Sequence, residues 1–261
     1  MLKPTVGIQL YTLRDHIKTA PDFDATLARL AGWGVTDVQI SAIGDIPAET
    51  QREILQKHNM KVCVTHKPLD RFTGDLNGII EEHKIINCDA PGIGSAPQEY
   101  RDSAEQVKAF IALTNKIGKE LKKHGMTFHY HNHDFEFRPL DNGKTMMDML
   151  LEETDPETFR FIPDVMWIRF AGADPAEVLR KMKGRVKVAH FKDYIINEAG
   201  ERRFVSLGRG LTPLEDCWKA CCELEIPYVV YEQDGDWDEN DPFLSSERSW
   251  DYLQGLTEQE A

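Results

Sequence analysis

The sequence predicts a closed (β/α)8 TIM barrel forming a single domain over residues 1–261, and three observations lead there. Strand-like and helix-like segments alternate along the chain, which argues for parallel strands joined by crossover helices. Eight such repeats fit into 261 residues with no linker, low-complexity tract or internal repeat, a length that suits one closed barrel better than an open doubly wound sheet. Polar side chains capable of acid–base or ligand chemistry also stand at the ends of the strand segments, where barrels build their sites.

Taken in order, residues 5–11 read as a strand and residues 22–33 as an amphipathic helix with Phe23, Leu27, Leu30 and Ala31 on one side, stopped by Gly34. Residues 37–41 form the second strand and 47–59 the next helix; 61–65 is a third strand ending at His66. A weaker helix pattern covers 76–86, and 90–94 is a short fourth strand. A long helix over 98–123 carries Val107, Phe110, Ile111, Ile117 and Leu121 as its apolar stripe, with Gly125 as its stop. A histidine-rich strand follows, then a helix over 145–153, strand 159–164, and a helix from Pro175 to Lys183 with Asp174 as N-cap. Strand 186–190, helix 213–223, strand 228–231 and helix 242–256 complete the pattern. Residues 194–210 are an irregular insert long enough to cover a site, and residues 257–261 read as a frayed tail.

Composition narrows the function. With 31 basic and 44 acidic residues the net charge is −13, which disfavours nucleic acid and anionic membrane surfaces as partners. No apolar run approaches the ~20 residues of a membrane span. The five cysteines are odd in number and lack a framework spacing, so they read as buried thiols in a reducing, cytoplasmic compartment. No dinucleotide or Walker-type glycine fingerprint is present, so no nucleotide cofactor is expected.

The stretch 127–137, Thr-Phe-His-Tyr-His-Asn-His-Asp-Phe-Glu-Phe, is the chemical centre of the chain. If it is a strand, alternation puts His129, His131 and His133 on one face, where they bind a metal or line a polar pocket. The strand ends supply Gln9, Tyr11, Gln39, His66, Ser95, His131, His133, Asp164, His190 and Glu232. Four of these, His131, Asp164, His190 and Glu232, come from successive strands and are good divalent-metal ligands. Each also has a plainer reading: His131 as a hydrogen-bonded core histidine, Asp164 as a turn cap, His190 as a loop anchor, Glu232 as part of an acidic cluster. Their convergence at one barrel mouth favours the metal. Imidazole and carboxylate donors suit manganese, zinc, cobalt or iron better than calcium, with magnesium also a candidate.

The phrases at 130–137 (Tyr-His-Asn-His-Asp-Phe-Glu-Phe), 189–193 (Ala-His-Phe-Lys-Asp), 207–210 (Leu-Gly-Arg-Gly) and 230–234 (Val-Tyr-Glu-Gln-Asp) resemble the sugar phosphate isomerase/epimerase family of xylose isomerase-like TIM barrels. The resemblance covers nearly the whole chain and specifies the superfamily better than the substrate. It implies a single divalent ion held by one residue from each of strands five to eight, matching His131, Asp164, His190 and Glu232. It further implies a small carbohydrate substrate, and dimers or tetramers are frequent among similar proteins. Two departures bear on mechanism: ketose 3-epimerases place a glutamate where this chain has His131, and many relatives carry an acidic residue where it has Gln39. The two-glutamate epimerase scheme therefore does not transfer intact.

On this reading the expected activity is isomerisation or epimerisation of a sugar, polyol or keto-sugar, through proton removal beside a carbonyl and a stabilised enediolate. Glu232, His133 and His66 are the candidate proton carriers, and Lys192 balances an oxyanion or pairs with Asp193. Gln9, Tyr11, Trp167 and Arg209 are the candidate substrate contacts. The alternatives are a metal-dependent lyase or hydrolase of 3-keto-glycosides, an inosose dehydratase-like enzyme, or a sugar-binding barrel without turnover. A three-metal repair endonuclease is disfavoured by Gln39 and the acidic charge.

Overall fold

The computed structural model describes residues 2–258. Its elements in order are β1 (Thr5–Gln9), α1 (Ala20–Gly32), β2 (Asp37–Ile40), α2 (Ala48–Lys57), β3 (Lys61–His66), α3 (Leu69–Gly74), α4 (Leu76–Ile85) and β4 (Pro91–Ile93). Then come α5 (Ala104–Lys122), β5 (Phe128–His131), α6 (Met146–Glu153), β6 (Phe159–Ile162), α7 (Val165–Phe170), α8 (Pro175–Lys181) and β7 (Val188–Phe191). A hairpin, β8 (Asp193–Ile196) and β9 (Arg202–Val205), precedes α9 (Leu214–Glu223), β10 (Tyr228–Tyr231) and α10 (Pro242–Glu258).

Eight parallel strands run in the order β6-β5-β4-β3-β2-β1-β10-β7, wrapping into a nearly closed barrel. The seam between β6 and β7 is held by two isolated parallel bridges, Phe161 with Val186 and Asp164 with His190. Pro163 explains why no full ladder forms there. It has no N–H to donate, so it only accepts from the His190 N–H (2.8 Å).

Alternation in β5 sets the local architecture. Phe128 and Tyr130 turn toward the helices, Tyr130 meeting Phe110 of α5 at 5.4 Å between ring centroids. His129 and His131 therefore turn into the barrel. Room for this comes from Gly92 on the neighbouring strand, where a Cβ would stand 2.8 Å from that of His129. Most of the core lies between the strands and the helix ring, with Ile8, Val38, Val64, Val229 and Val230 all buried.

Several boundaries differ from the sequence expectation. β5 ends at His131, so the three histidines do not share one strand face. β1 ends at Gln9, because the Gln9 side chain accepts the Tyr11 N–H (3.1 Å) and starts a 3-10 turn over Leu10–His16. The helix expected over 98–123 is a 3-10 turn at Gln98–Tyr100 followed by α5, which begins where the Ser103 hydroxyl accepts the Gln106 N–H. Helices α3 and α7 were not expected, and the irregular insert is the antiparallel β8–β9 hairpin. Thr257 and Glu258 continue the last helix, while the rest of the expected frayed tail lies outside the described residues. All five cysteines are buried and unbridged. Among the described residues no helix is long and apolar enough to cross a membrane.

Candidate metal centre

His131 ends β5, Asp164 follows β6, His190 lies within β7 and Glu232 follows β10, so each strand end delivers one side chain to the same mouth. Their ligand atoms all lie within 4.8 Å of one another, and all four residues are buried. His131 Nε2 is 3.4 Å from Asp164 Oδ2 and 3.7 Å from Glu232 Oε2, and His190 Nδ1 is 3.0 Å from Glu232 Oε2.

The donor set fits a divalent ion. His131 Nδ1 lies 3.0 Å from the Gly94 carbonyl, which can only accept, so a ring proton sits there and Nε2 is the nitrogen left to face the carboxylates and ligate an ion. Asp164 also acts as the N-cap of α7. Its Oδ1 accepts the N–H groups of Met166 and Trp167 (3.0 Å each), and its own N–H donates to Asn132 Oδ1. That cap leaves Oδ2 directed at the cluster. The turn-cap and ligand readings of Asp164 are thus compatible.

Lys192 carries the counter-charge. Its ammonium lies 3.1 Å from Asp164 Oδ2, 2.9 Å from Glu232 Oε2 and 3.0 Å from Asp234 Oδ2, a positive charge set among three carboxylates. The expected pairing with Asp193 does not occur, because Asp193 accepts the backbone N–H groups of Tyr194, Gly210 and Thr212 instead. Burial alone would lower the lysine and raise the carboxyls. The three carboxylates nevertheless hold Lys192 well above its ordinary value, and Lys192 with the histidines holds Asp164 at about 2 and Glu232 well below the usual range. Burial also raises Asp234, against the pull of Lys192.

The imidazoles divide. Burial depresses His131, but Asp164 and Glu232 override it and leave that ring above its ordinary value. Burial holds His66 and His190 down, and with His131 nearby it lowers His133 to about 3. His66 and His133 flank the His131 ring at 5.4 and 5.0 Å, so two neutral imidazoles border the cluster. His133 Nδ1 is buried without a partner. His129 stays deeper in the barrel, bonded to Thr127 Oγ1, and does not join the site.

A cavity of about 520 Å³ opens over the cluster, and Tyr11, His66, His133, Trp167, Lys192 and Glu232 line it. A groove of about 890 Å³ continues from it over the loops after β2, β3 and β4, sharing Tyr11 and His66. Gln9 is wholly buried and bonds Ser41, so it supports the wall without lining it. Arg209 points elsewhere, pairing with Asp238 at 3.2 Å while more than half exposed.

Sequence reasoning missed Arg202 and Phe204, which the β8–β9 hairpin brings to the cavity. The Arg202 guanidinium stacks on Trp167 (4.2 Å), Phe204 (4.8 Å) and Phe170 (5.0 Å). Period-two alternation within the insert was the available signal. Glu136 was also missed. It accepts the Tyr130 hydroxyl at 2.6 Å and the His133 N–H at 2.8 Å, and burial raises its carboxyl to about 7.

A family model described as the xylose isomerase-like TIM barrel matches residues 26–233, well over half of the chain. The chain belongs to that family. Among curated proteins, the inosose dehydratase of Clostridium tetani is 30% identical over 145 residues, covering 54% of this chain and 42% of its own length. The inosose dehydratase of Geobacillus thermodenitrificans is 32% identical over 102 residues, covering 38% of this chain and 32% of its own. The chain thus spans less than half of these relatives. Among solved structures, a sugar phosphate isomerase/epimerase from Parabacteroides distasonis superposes with a TM-score of 0.82 at 22% identity, covering 97% of both chains. An L-ribulose 3-epimerase superposes at 0.75 with 15% identity, covering 98% of this chain and 95% of its own. At those identities the likeness is one of fold.

Proposed function

We propose that this family barrel is a divalent-metal-dependent enzyme that removes a proton beside the carbonyl of a keto-sugar or keto-polyol, and that its product is an isomer or epimer. The observation that carries this is the four-ligand cluster with neutral imidazoles on either side of His131. A bound divalent ion would supply Lewis acidity to the substrate oxygens, stabilising the charge that develops when the carbon is deprotonated.

The chain's own residues divide the remaining work. His133 lines the cavity, neutral and unpartnered at Nδ1, so it can take the substrate proton transiently and, as a weak base held at about 3, give it back readily. Glu232, held ionised by Lys192, is the second proton carrier and also a ligand. Lys192 is ion-paired with three carboxylates that hold it protonated, so it acts as a fixed positive charge facing the developing anion and not as a base. Trp167, Phe204 and Tyr11 offer ring surface to the apolar face of a sugar.

The second reading is loss of a β-leaving group after the same first step, favoured by the sequence likeness to inosose dehydratases. Incubating a keto-sugar and keto-inositol panel in deuterated water with added manganese or magnesium separates the outcomes. Deuterium in a product of otherwise unchanged mass supports isomerisation, and loss of water or of an aglycone supports the lyase. The absence of both, together with no ion bound at one per chain, would remove the proposal.

A further inference from the structure

Gln39 is fully buried at the end of β2 between two histidines of the site. Its Oε1 is 2.7 Å from His190 Nε2, and its Nε2 is 2.9 Å from His66 Nε2. We infer that Gln39 couples the ring-proton positions of these histidines, so that filling the metal centre changes the atom His66 presents to the substrate cavity. The inference rests on the metal reading above and adds a positioning residue to it.

An amide has one donor end and one acceptor end, so it cannot accept from both rings or donate to both. Each neutral imidazole carries one ring proton. If His190 bears it at Nε2 and gives it to Gln39 Oε1, the amide N–H must go to His66 Nε2, and the His66 proton is then on Nδ1. If the amide is turned over, both histidines carry the opposite tautomer. The two rings are therefore tied together in either orientation.

The centre selects between these states. His190 presents Nδ1 to the cluster, 3.0 Å from Glu232 Oε2. To ligate an ion, Nδ1 must keep its lone pair, so the proton lies on Nε2 and His66 becomes an Nδ1–H donor. Without an ion the same 3.0 Å contact favours Nδ1–H donating to the carboxylate, and the amide turns over from the orientation seen here, in which Oε1 faces His190 as in the loaded site. Then His190 Nε2 takes the amide N–H, Oε1 takes His66 Nε2–H, and His66 Nδ1 keeps a lone pair. No net proton is gained or lost: each ring moves its single proton between its own nitrogens and the amide turns over.

The His66 Nδ1 edge lies along Gly94 on the cavity wall, where a Cβ at that glycine would come within 3.0 Å of Nδ1. In the loaded site His66 thus holds a substrate oxygen by donation, which leaves proton abstraction to His133 and Glu232. A carboxylate at position 39 would behave differently, accepting from both rings and leaving His66 Nδ1 a lone pair whether or not the ion is present.

The test is the two-bond 1H–15N correlation spectrum of protein labelled at the histidine ring nitrogens, with His66→Gln and His190→Gln to assign signals. Spectra are taken after chelation and with one equivalent of zinc, whose binding is measured separately by calorimetry. Expected is His66 as Nε2–H in the chelated protein and Nδ1–H with zinc, while Gln39→Glu stays Nε2–H in both. Gln39→Leu should weaken zinc by about 10- to 100-fold, as loss of a ligand's hydrogen-bond partner does. Zinc bound with His66 unmoved, or a switch that survives in Gln39→Glu and Gln39→Leu, overturns the coupling alone. Failure of zinc to bind overturns both the coupling and the metal reading.

Discussion

Asp164 combines two duties that substitution can separate. Its Oδ1 caps α7 while its Oδ2 faces the cluster. Asn at this position keeps a cap oxygen but loses the charge, and Ala loses both. Asp164→Asn should therefore abolish divalent-ion binding and lower the unfolding free energy through the lost buried ion pair with Lys192, whereas Asp164→Ala should lose about 1 kcal/mol more. Calorimetric titration and urea unfolding read the two effects, and an Asn variant that still binds the ion at one per chain would exclude Asp164 as a ligand. Glu136 makes a second prediction. Its carboxyl is raised from 4.5 to about 7 by burial. A raised acid binds its proton more tightly when folded, so its contribution to stability is complete below about 4.5 and fades as pH rises through about 7. Relative to wild type, Glu136→Gln should gain on the order of 3 kcal/mol at most between pH 5 and 7.5. Unfolding at the two pH values checks this, and a constant difference would mean that Tyr130 and the His133 N–H keep the carboxylate ionised.

Among the elements, β5 and the β8–β9 hairpin both contribute to the cavity wall, meeting at Trp167. β5 supplies His131 on its inward face, and its early end lets the following turn carry Asn132 to Asp164 and His133 over the mouth. The hairpin is anchored at its base, where Asp193 accepts the Gly210 and Thr212 N–H groups, and its far strand places Arg202 and Phe204 against Trp167. Replacing residues 195–204 by Gly-Gly should leave the barrel and its ion affinity intact. Affinity for a keto-sugar ligand should fall roughly tenfold or more, about 1.4 kcal/mol of lost contact. Circular dichroism, calorimetry with the ion and calorimetry with the sugar separate these outcomes, and unchanged sugar affinity would remove the hairpin from the binding site.

For the whole molecule, an ion held by the proposed cluster would bridge the incomplete seam between β6 and β7, since Asp164 and His190 stand on either side of it. Such a ligand binds the folded chain and not the unfolded one. At a concentration of 100 Kd it should add about 2.7 kcal/mol, raising the melting temperature by roughly 5–10 °C for a chain of this size. Calorimetric scans with chelator and with excess manganese test this. A Tm that ignores the ion would mean that Lys192 and its carboxylates already close the seam alone.

Strand and helix alternation is local physics, which is why the barrel and the polar residues at its strand ends were legible: periodicity and turn residues report which side chains face inward and where each strand stops. His131, Asp164, His190 and Glu232 were found because barrel strands end at one face, a rule that needs no coordinates. Tertiary structure decided what depends on distances between segments remote in sequence. Lys192 pairs with Asp164, Glu232 and Asp234 and not with its neighbour Asp193, Arg209 turns away to Asp238, and Arg202 reaches the cavity from an insert without a strong pattern. Gln39, which looked like an absent ligand, stands between two histidines supplied by β3 and β7. A hydrogen bond acts over about 3 Å, and only the folded chain determines which groups come that close.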